Sequence, residues 1–512
     1  MNSQGFCSLP SLQSGTFIIT LIHDFGSGRV RDLTDFRLAL KNQTTMEGVH
    51  MKKLLLALVA GLGLQANAAQ FDPLLQPFLN RSQDTRIIRV ILTFKDQNPA
   101  VRNVAAPIRS AQARAQVQNI LMQNSKASQA QFAQTLNQWS RSGVTNQYYS
   151  LWIINGMILD LPVKDLSRLA AEPSINYVHA NSNMQLIAPV GGRVLAPSQM
   201  REEPQLTYGL QKINIPQLRA AKPDLTGKAV RVGVVDTGID GTHPDLANKV
   251  IAFGDFVNKK TTAYDDQGHG THVSGTIGGG AASGTGIGVA PDVRFIGAKF
   301  LDKNGSGTFA NAVLAMQWVV DPDGKPETDD GAMIVSNSWG GGAPSASEDP
   351  ANNALCQAVN SWVKLGVAPV FAAGNSGPGA KTVGLPGGCP AALTVGASDA
   401  NDQIASFSSR GPAVWKTGSF VKPEIVAPGV KIKSSMPGNK YGELSGTSMA
   451  TPHVAGVVAL IYQLQPKISA EQLVNVIKSS ATKIGQDPNT YGAGRIDALK
   501  AAQSLGLSAR RF

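Results

Sequence analysis

The feature of this sequence that most restricts its fold is a set of short, almost uninterrupted apolar runs that lead into polar residues. Residues 230–235 read VRVGVV and are followed by Asp236, and residues 367–370 read VAPV and lead through a glycine-flanked turn to Asn375. Runs of this kind are typical of strands buried on both faces, as in a parallel sheet. Open α/β sheets place their sites at the carboxyl edge of such strands, so Asp236 and Asn375 are candidate site residues.

A second feature is a serine at the start of a long apolar helix. Residues 446–456 read GTSMATPHVAG, and the apolar character continues through residues 457–461. A helix N-terminus offers unpaired N–H donors and a partial positive charge, so an oxyanion beside Ser448 would meet a backbone donor. Ser448 is therefore a candidate nucleophile. The alternative is a serine that only caps the helix.

A pair of histidines lies between these two features, in the segment HGTH at residues 269–272. Glycines on both sides of His269 leave its imidazole uncrowded, and the near-neutral pKa of histidine suits a general base. His272 is predicted to be a hydrogen-bonded structural residue. Metal binding is the alternative, but this spacing without an intervening glutamate is a poor zinc template. Taken alone, Asp236 could equally cap the turn that follows it.

Three segments in this order resemble the signature segments of the subtilisin-like serine peptidases. They are DTG at residues 236–238, HGTH at residues 269–272 and GTSMATPH at residues 446–453. The resemblance extends over residues 208–503. It implies a three-layer α/β catalytic domain with a mainly parallel central sheet, and catalysis without a cofactor.

The resemblance also implies a role for each candidate residue. Ser448 would be the nucleophile, and His269 would be its general base and later the acid for the leaving amine. Asp236 would hold the imidazole tautomer and stabilise the imidazolium. Asn375 matches the asparagine that donates to the oxyanion in this family.

Two further segments resemble the walls of the pocket for the residue before the scissile bond, and a third resembles its base. The residues concerned are Ser338, Trp339 and Gly340 in one wall, Ala372, Ala373 and Gly374 in the other, and Gly384 at the base. These segments contain no acidic residue, which disfavours cleavage after basic residues. They predict broad specificity for large hydrophobic residues. Trp339 replaces the more usual leucine, a change that would narrow the pocket.

The charge distribution argues against a nucleic-acid partner. The 512-residue chain has a net charge of +11, but residues 201–512 carry 28 basic and 25 acidic side chains. Most of the excess therefore precedes residue 201, and no dense cluster of Lys and Arg is interleaved with aromatic residues.

Residues 51–68 have the three parts of a secretory signal peptide: two lysines, a short apolar run and the small residues Ala-Asn-Ala. The apolar run is too short to span a bilayer. We expect cleavage after Ala68 or Ala69, and translation that starts at Met51, so that residues 1–50 are not translated. The predicted location is secreted, extracellular or periplasmic in transit, without a membrane anchor.

The chain has three cysteines, and Cys7 lies in the segment that we expect not to be translated. Cys356 and Cys389 remain, an even number in an exported domain, where disulfides persist. We predict that they form a disulfide. The alternative is two buried thiols.

The region before the predicted catalytic domain has the pattern of a small α+β domain. Residues 69–182 alternate in the order strand, helix, strand, strand, helix, strand, which is a split βαβ (ferredoxin-like) fold. The predicted elements are strands at 87–94, 148–154, 157–161 and 175–179, and helices at 105–139 and 163–171. The resemblance implies that this domain is an inhibitory propeptide.

Residues 183–206 are rich in proline, glycine and polar residues and are predicted to be a linker that contains the maturation site. Cleavage there would leave Tyr208 near the mature N-terminus of a catalytic domain that spans residues 207–512.

Calcium is the one metal that the resemblance raises. Asp245 matches a position that ligates calcium in part of the family, but the companion loop, residues 278–288, lacks the expected carboxamide. Calcium prefers six or more oxygen ligands. Structural calcium, at Asp245 or elsewhere, therefore stays an open expectation.

These observations predict a secreted serine endopeptidase made as a self-processing zymogen. The expected partners are peptide and protein substrates and its own propeptide as an intramolecular inhibitor, with the enzyme a monomer. One alternative is a catalytically silent relative that binds peptides in the cleft. Another is a structural surface protein, which would be expected to carry repeats or adhesive modules, and none is visible.

Overall fold

The computed structural model describes residues 69–96, 103–105, 109–145, 147–200 and 205–507. The predicted signal peptide, residues 1–50 and Cys7 lie outside these ranges. We call residues 69–182 the N-terminal domain and residues 207–512 the C-terminal domain.

The N-terminal domain is a five-stranded sheet packed against one long helix. The elements in chain order are β1 (Gln70–Phe71), β2 (Ile87–Phe94), α1 (Ala111–Arg141), β3 (Tyr148–Leu151), β4 (Gly156–Pro162) and β5 (Ile175–Ala180). The sheet order is β1-β5-β2-β4-β3, and β2 is antiparallel to both β4 and β5. The helix begins where Ser110 accepts a hydrogen bond from the N–H of Ala113. This is the predicted α+β fold.

Two local details of the N-terminal domain differ from the sequence prediction. The strand expected at 148–154 ends at Leu151, and Trp152–Ile154 form a 3₁₀ turn before Asn155, whose φ is +45°. The predicted helix at 163–171 is a 3₁₀ helix, Val163–Ala171.

The rest of the described chain contributes many short strands and ten α-helices. The strands are β6 (Asn183–Leu186), β7 (Gly192–Leu195), β8 (Arg231–Asp236), β9 (Val250–Asp255), β10 (Arg294–Lys299), β11 (Ser306–Thr308), β12 (Ile334–Asn337), β13 (Trp339–Gly340), β14 (Ala368–Ala372), β15 (Leu393–Ser398), β16 (Ala413–Trp415), β17 (Gly418–Phe420), β18 (Ile425–Pro428), β19 (Ile432–Met436) and β20 (Lys440–Leu444).

Two further 3₁₀ helices are Pro73–Phe78 in the N-terminal domain and Pro326–Thr328 in the C-terminal domain. The α-helices of the part after residue 182 are given next, in chain order. They are α2 (Pro197–Met200), α3 (Tyr208–Lys212), α4 (Ile215–Ala221), α5 (His269–Gly278), α6 (Phe309–Trp318), α7 (Ala354–Lys364), α8 (Thr447–Leu464), α9 (Ala470–Ser479), α10 (Pro488–Tyr491) and α11 (Ala498–Ser504).

The C-terminal domain is organised around a seven-stranded parallel sheet in the order β18-β15-β14-β12-β8-β10-β9. Strand β8 shows why apolar and polar residues do not alternate along its sequence: both of its faces are buried. Val232 and Val234 pack with α5 and α8 on one face, whereas Val235 packs with α6 and α7 on the other. Burying each such side chain stabilises the fold by roughly 1.5–3 kcal/mol. The predicted three-layer α/β architecture is confirmed.

The topology brings the ends of three segments to one edge of this sheet. Asp236 is the last residue of β8, β14 ends three residues before Asn375, and α8 begins at Thr447. Helix α8 is buried from Thr447 to Tyr462, so its first turn lies inside the domain. The edge is the one that parallel α/β sheets use for their sites.

Cys356 in α7 and Cys389 before β15 form a disulfide, with an S–S distance of 2.03 Å. Across the described ranges, each helix is either too short or too polar to cross a membrane.

The segment predicted as a linker is more ordered than its composition suggests. Strand β6 lies between β11 and β13 in an antiparallel sheet, and β7 pairs with β20. Neither strand has a hydrophobic pattern of its own. Both form by addition to strands of the C-terminal domain, where backbone hydrogen bonds rather than side chains supply the pairing.

Candidate active site

Asp236 and His269 form a buried pair at the carboxyl edge of the sheet. The Nδ1 atom of His269 lies 2.9 and 3.1 Å from the two carboxylate oxygens of Asp236. Their side chains are each about 1% exposed. Because a carboxylate only accepts hydrogen bonds, Nδ1 carries the proton and Nε2 keeps its lone pair. That tautomer is the one that a general base requires.

Close backbone contact between two loops sets the position of this pair. Gly238 has a φ of +124°, and a Cβ there would lie 2.1 Å from the carbonyl oxygen of Tyr264. A Cβ on Gly270 would lie 2.0 Å from the carbonyl oxygen of Gly238. Only glycine allows the loop after β8 to lie against the start of α5.

Asp265 holds the same two loops together, and the sequence pattern did not point to it. Its buried carboxylate accepts from the Thr237 hydroxyl at 3.0 Å, from the Gly268 N–H at 2.8 Å and from both the N–H and the hydroxyl of Thr271 at 2.9 and 2.7 Å. The Gln267 N–H also donates to it, at 3.1 Å. Burial raises the pKa of this carboxyl. An acid in a glycine-rich loop looks like an ordinary turn residue in sequence.

Lys299, the last residue of β10, is fully buried beside the same loop. Its ammonium donates to the carbonyl oxygens of Thr237 and Leu301, at 2.6 and 2.8 Å, and to the carboxylate of Asp266 at 2.6 Å. A buried cation needs such partners. Lys299 therefore fixes the main chain directly after Asp236.

Ser448 lies in the first turn of α8, where main-chain N–H groups have no acceptor within the helix. Its hydroxyl donates to the carbonyl oxygen of Ile187 at 2.9 Å. The Nε2 atom of His269 is buried and has no hydrogen-bond partner among the described residues. The Ser448 hydroxyl is thus turned towards residue 187, in the cleft at the carboxyl edge of the sheet.

Asn375 faces the same cleft from the end of β14. Its side-chain oxygen accepts from the N–H and from the hydroxyl of Thr447, both at 3.0 Å. These two donors orient the amide, so its NH₂ group points away from them. Nδ2 donates to the carbonyl oxygen of Ala188 at 2.8 Å.

Strand β6 lies in the cleft as an extended peptide. It pairs with β11 on one side and with β13 on the other. The N–H of Leu186 donates to the Gly305 carbonyl at 2.8 Å, and the N–H of Ile187 donates to the Ser338 carbonyl at 3.1 Å. Ser338 and Gly340 therefore flank the strand that occupies the cleft, and an extended substrate could make the same main-chain bonds.

The predicted pocket residues on the other side also lie together. Ala372 and Ala373 are buried, the Gly384 N–H donates to the Ala373 carbonyl at 3.1 Å, and the Gly374 N–H donates to the Thr447 hydroxyl at 3.2 Å. A Cβ on Gly384 would lie 2.7 Å from the carbonyl oxygen of Gly341. This wall is therefore built from main chain and small side chains.

Trp339, which the sequence predicted as a pocket-lining residue, lies in the core behind the cleft wall. Its side chain is buried, and its ring packs edge-on against Phe300 and Phe371, with centroids 4.8 and 6.2 Å away. The indole supports the floor of the cleft from within the core.

The other two histidines near the site are structural. Nε2 of His272 lies 3.1 Å from the carbonyl oxygens of Ile432 and Gly442, and burial lowers its pKa to about 3. Nδ1 of His453 lies 2.9 Å from the carbonyl oxygen of Met449, and burial lowers its pKa to about 4. Both are therefore neutral near pH 7, as hydrogen-bonded core residues.

The surroundings of Asp245 do not fit a calcium ion. Its carboxylate accepts from the Ala282 N–H at 2.7 Å and from the Tyr441 hydroxyl at 2.6 Å. Calcium binds oxygen lone pairs, whereas these neighbours present hydrogens. Among the described residues, a separate acidic group of Asp321, Asp323 and Asp330 has carboxylate oxygens within 4.8 Å of one another.

Comparison with known proteins agrees with this geometry. Residues 227–494 match the subtilase family. The chain is 42% identical over 301 residues to serine protease AprX of Bacillus subtilis (strain 168), which covers 54% of this chain and 66% of AprX. It is 35% identical over 345 residues to M-protease of Shouchella clausii (strain KSM-K16), covering 67% of this chain and 78% of that protein. It is 40% identical over 299 residues to subtilisin DY of Bacillus licheniformis, covering 58% of this chain and 98% of subtilisin DY. The chain therefore belongs to the subtilase family, the subtilisin-like serine peptidases, whose members are hydrolases acting on peptide bonds.

Proposed function

We propose that this protein is a secreted serine endopeptidase made as a self-processing zymogen. One observation carries the proposal: the Ser448 hydroxyl lies 2.9 Å from a carbonyl oxygen of a peptide strand that occupies the cleft in a substrate-like register. The strand belongs to the same chain, which is the arrangement that intramolecular processing requires.

The proposed reaction uses the buried pair and the serine in sequence. Ser448 Oγ attacks the carbonyl carbon while His269 Nε2 takes the hydroxyl proton, and Asp236 stabilises the resulting imidazolium. The substrate oxygen becomes an oxyanion, which accepts from Asn375 Nδ2 and from the Ser448 N–H. His269 then gives its proton to the leaving amine, and a water molecule hydrolyses the acyl-enzyme by the same steps.

The N-terminal domain is proposed to be the inhibitory propeptide. It contacts the C-terminal domain outside the cleft as well as through β6. The Ser361 hydroxyl in α7 donates to the Ile153 carbonyl at 2.6 Å, and Gln118 in α1 donates to Asp321 at 2.6 Å. Together with the strand in the cleft, these contacts support a folded domain that blocks the site until it is released.

The proposed specificity is broad, favouring large hydrophobic residues before the scissile bond. Ile187 is the residue of the cleft strand whose carbonyl lies beside Ser448, and its δ1 carbon lies 3.7 Å from where a Cβ on Gly340 would stand. The predicted pocket residues are apolar, small or uncharged, so a charged side chain would lose its hydration without gaining a partner.

Secretion is proposed from the sequence of residues 51–68 and is consistent with a disulfide, which persists in oxidising compartments. The monomeric state stays a prediction, which the mass of the purified protein in solution would check.

Structural calcium is proposed at the acidic group of Asp321, Asp323 and Asp330. Burial raises the pKa of Asp321 and of Asp330, and a neighbouring carboxylate adds to the shift in each case. A cation would relieve this repulsion. Calcium is expected to raise the thermal unfolding temperature of the mature protein, and that of an Asp323→Asn variant much less. Equal shifts for both proteins would exclude this group.

The catalytic proposal is tested with a fluorophosphonate probe on the mature protein. We expect covalent labelling that Ser448→Ala abolishes, together with hydrolysis of a casein substrate. A folded protein that binds peptides but is not labelled would instead be a silent relative.

A further inference from the structure

The main chain of residues 183–190 runs past Ser448, and its hydrogen bonds define which peptide bond faces the serine. The ladder with the C-terminal domain ends at Ile187, whose N–H donates to Ser338 at 3.1 Å and whose carbonyl accepts from Ser448 at 2.9 Å. We propose, building on the proposed function, that the Ile187–Ala188 bond is the one that Ser448 cleaves during maturation. Residues 188–200, which we call the N-terminal strap, then stay on the C-terminal domain and hold the new amino terminus beside the cleft.

The neighbouring bond, Ala188–Pro189, is the main competitor. Asn375 Nδ2 donates to the Ala188 carbonyl at 2.8 Å, which is the oxygen of that bond. The serine hydroxyl, however, contacts the Ile187 carbonyl, and the nitrogen of Pro189 belongs to a ring that crowds the leaving group. Cleavage at Ile187 requires the Asn375 amide to move to the adjacent carbonyl oxygen. We therefore assign the cut to Ile187–Ala188.

The step is an ordinary hydrolysis. Ser448 Oγ forms an ester with the Ile187 carbonyl carbon as the C–N bond to Ala188 breaks, and the serine proton passes through His269 to the Ala188 nitrogen. Water then cleaves the ester. One water molecule is consumed, and the products are an Ile187 carboxylate and an Ala188 amino terminus.

The strap is attached to the C-terminal domain by strand pairing. Strand β7 is antiparallel to β20, with Gly192 opposite Leu444 and Leu195 opposite Tyr441. The guanidinium of Arg193 contacts both carboxylate oxygens of Glu443 at 3.2 Å. The pairing is close at its start, because a Cβ on Gly192 would lie 2.4 Å from a methyl carbon of Leu444.

The strap also has apolar anchors. Leu195 is 3% exposed and Met200 is fully buried, in a cluster with Ile287 and Tyr441. The Thr285 hydroxyl donates to the Met200 carbonyl at 2.7 Å. Each of these contacts is made with the C-terminal domain, so a cut at Ile187–Ala188 leaves them in place.

The anchored strand limits where the new amino terminus can go. Ala188 is four residues from Gly192, so its nitrogen can move at most about 14 Å from the start of β7. The Val190 N–H donates to the Ser445 carbonyl at 2.6 Å, close to Ser448 on the leaving-group side. Residues 188–191 therefore compete with the part of a substrate that follows its scissile bond.

The cut is tested by intact-mass analysis of the full-length precursor after processing, beside a Ser448→Ala precursor. We expect fragments that end at Ile187 and begin at Ala188, and none from Ser448→Ala. An Ile187→Asp change should slow this cut about tenfold or more, because a charge enters an apolar pocket, whereas Val194→Ala, at a side chain exposed by 62%, should not.

The outcomes separate the two proposals. Processing that depends on Ser448 but occurs after Ala188, or beyond residue 200, would overturn the assignment and leave the proposed function standing. An uncut wild-type precursor, or equal cutting of Ser448→Ala, would contradict the proposed function itself.

The strap is tested on mature enzyme with Gly192→Val and Arg193→Ala, which weaken its pairing, and with Val194→Ala as the control. For a quenched peptide that extends three residues beyond its scissile bond, KM should fall about fivefold in the weakened variants, because a tethered competitor is lost. For a peptide p-nitroanilide, which lacks those residues, KM should stay within about twofold. Equal changes in KM for both substrates, or an unchanged KM in both weakened variants, would overturn the proposal that the strap competes with substrate.

Discussion

Arg114 and Ala332 are joined by a 2.9 Å hydrogen bond that connects the N-terminal domain to the C-terminal domain. The same guanidinium donates to the carbonyl of Val320 and lies 3.7 Å from the carboxylate of Asp329. Burial lowers its pKa to about 10, so it remains a cation at neutral pH. This contact lies away from the cleft and does not depend on the strand that occupies it.

We predict that Arg114→Ala speeds the appearance of peptidase activity after the chain is cut. Removing one partner of a buried, charged hydrogen-bond set typically costs about 2–5 kcal/mol, which is roughly 30-fold or more in affinity. The measurement is the lag in peptide hydrolysis during maturation. Arg141→Ala, an exposed change on the same helix, is the control. Equal lags for both variants would contradict a role for Arg114 in retention.

Asn375→Leu is expected to lower kcat by about 10²–10³, the usual cost of one oxyanion donor, with little change in KM. The reason is that the side-chain NH₂ would contribute mainly when negative charge develops on the substrate oxygen. Steady-state kinetics on mature enzyme would measure it, with exposed Asn401→Ala as the control. A change confined to KM would instead place Asn375 in ground-state binding.

Asp265→Asn should weaken both stability and turnover. The variant places an NH₂ group among hydrogen-bond donors and so leaves buried polar groups without partners. Each such group typically costs about 1–3 kcal/mol of stability. We expect a lower free energy of unfolding for the Ser448→Ala precursor and a lower kcat for mature enzyme. Asp224→Asn, at a side chain exposed by 74%, should leave both unchanged. Normal kcat in Asp265→Asn would show that the two loops hold without this carboxylate.

The buried histidines predict acid sensitivity. The folded protein keeps His453 neutral, with a pKa near 4, while the unfolded chain protonates it near pH 6.5. Between these values the unfolded state binds more protons, so stability is fully present above about pH 6.5 and falls by about 1.4 kcal/mol per pH unit on acidification. The measurement is the free energy of unfolding by denaturant at pH 5 and pH 7. We expect the difference between the two pH values to be smaller for a Ser448→Ala precursor that also carries His453→Leu than for Ser448→Ala alone. An unchanged difference would contradict this assignment.

Much of the fold and of the candidate site could be predicted from the sequence because the relevant signals are local. Asp236 ends a buried strand, and Ser448 lies in the first turn of an apolar helix. Each position is fixed by its own neighbours in the chain, and the parallel topology brings strand ends to one edge. The α+β pattern of the N-terminal domain was equally local.

The supporting residues could not be predicted because their roles depend on distant partners. Lys299 and Asp265 look like ordinary charged residues until the strands around Asp236 are assembled. Residues 183–200 have too little apolar pattern to predict strands, and they are ordered by pairing with β13 and β20. Asp245 shows the opposite case. The sequence matched it to a calcium-binding position of the family, but in the structure its carboxylate accepts a hydrogen bond from the Tyr441 hydroxyl.

Strand β8, which carries Asp236, is the first strand of the parallel sheet in chain order, whereas α8, which carries Ser448, follows the last of them. A chain that is still being made therefore has Asp236 and His269 before it has Ser448, and a complete but unfolded chain does not yet hold the three residues together. Such long-range pairing forms late and slowly. Under the proposed function, the order of the elements thus withholds proteolytic capacity from every incomplete chain.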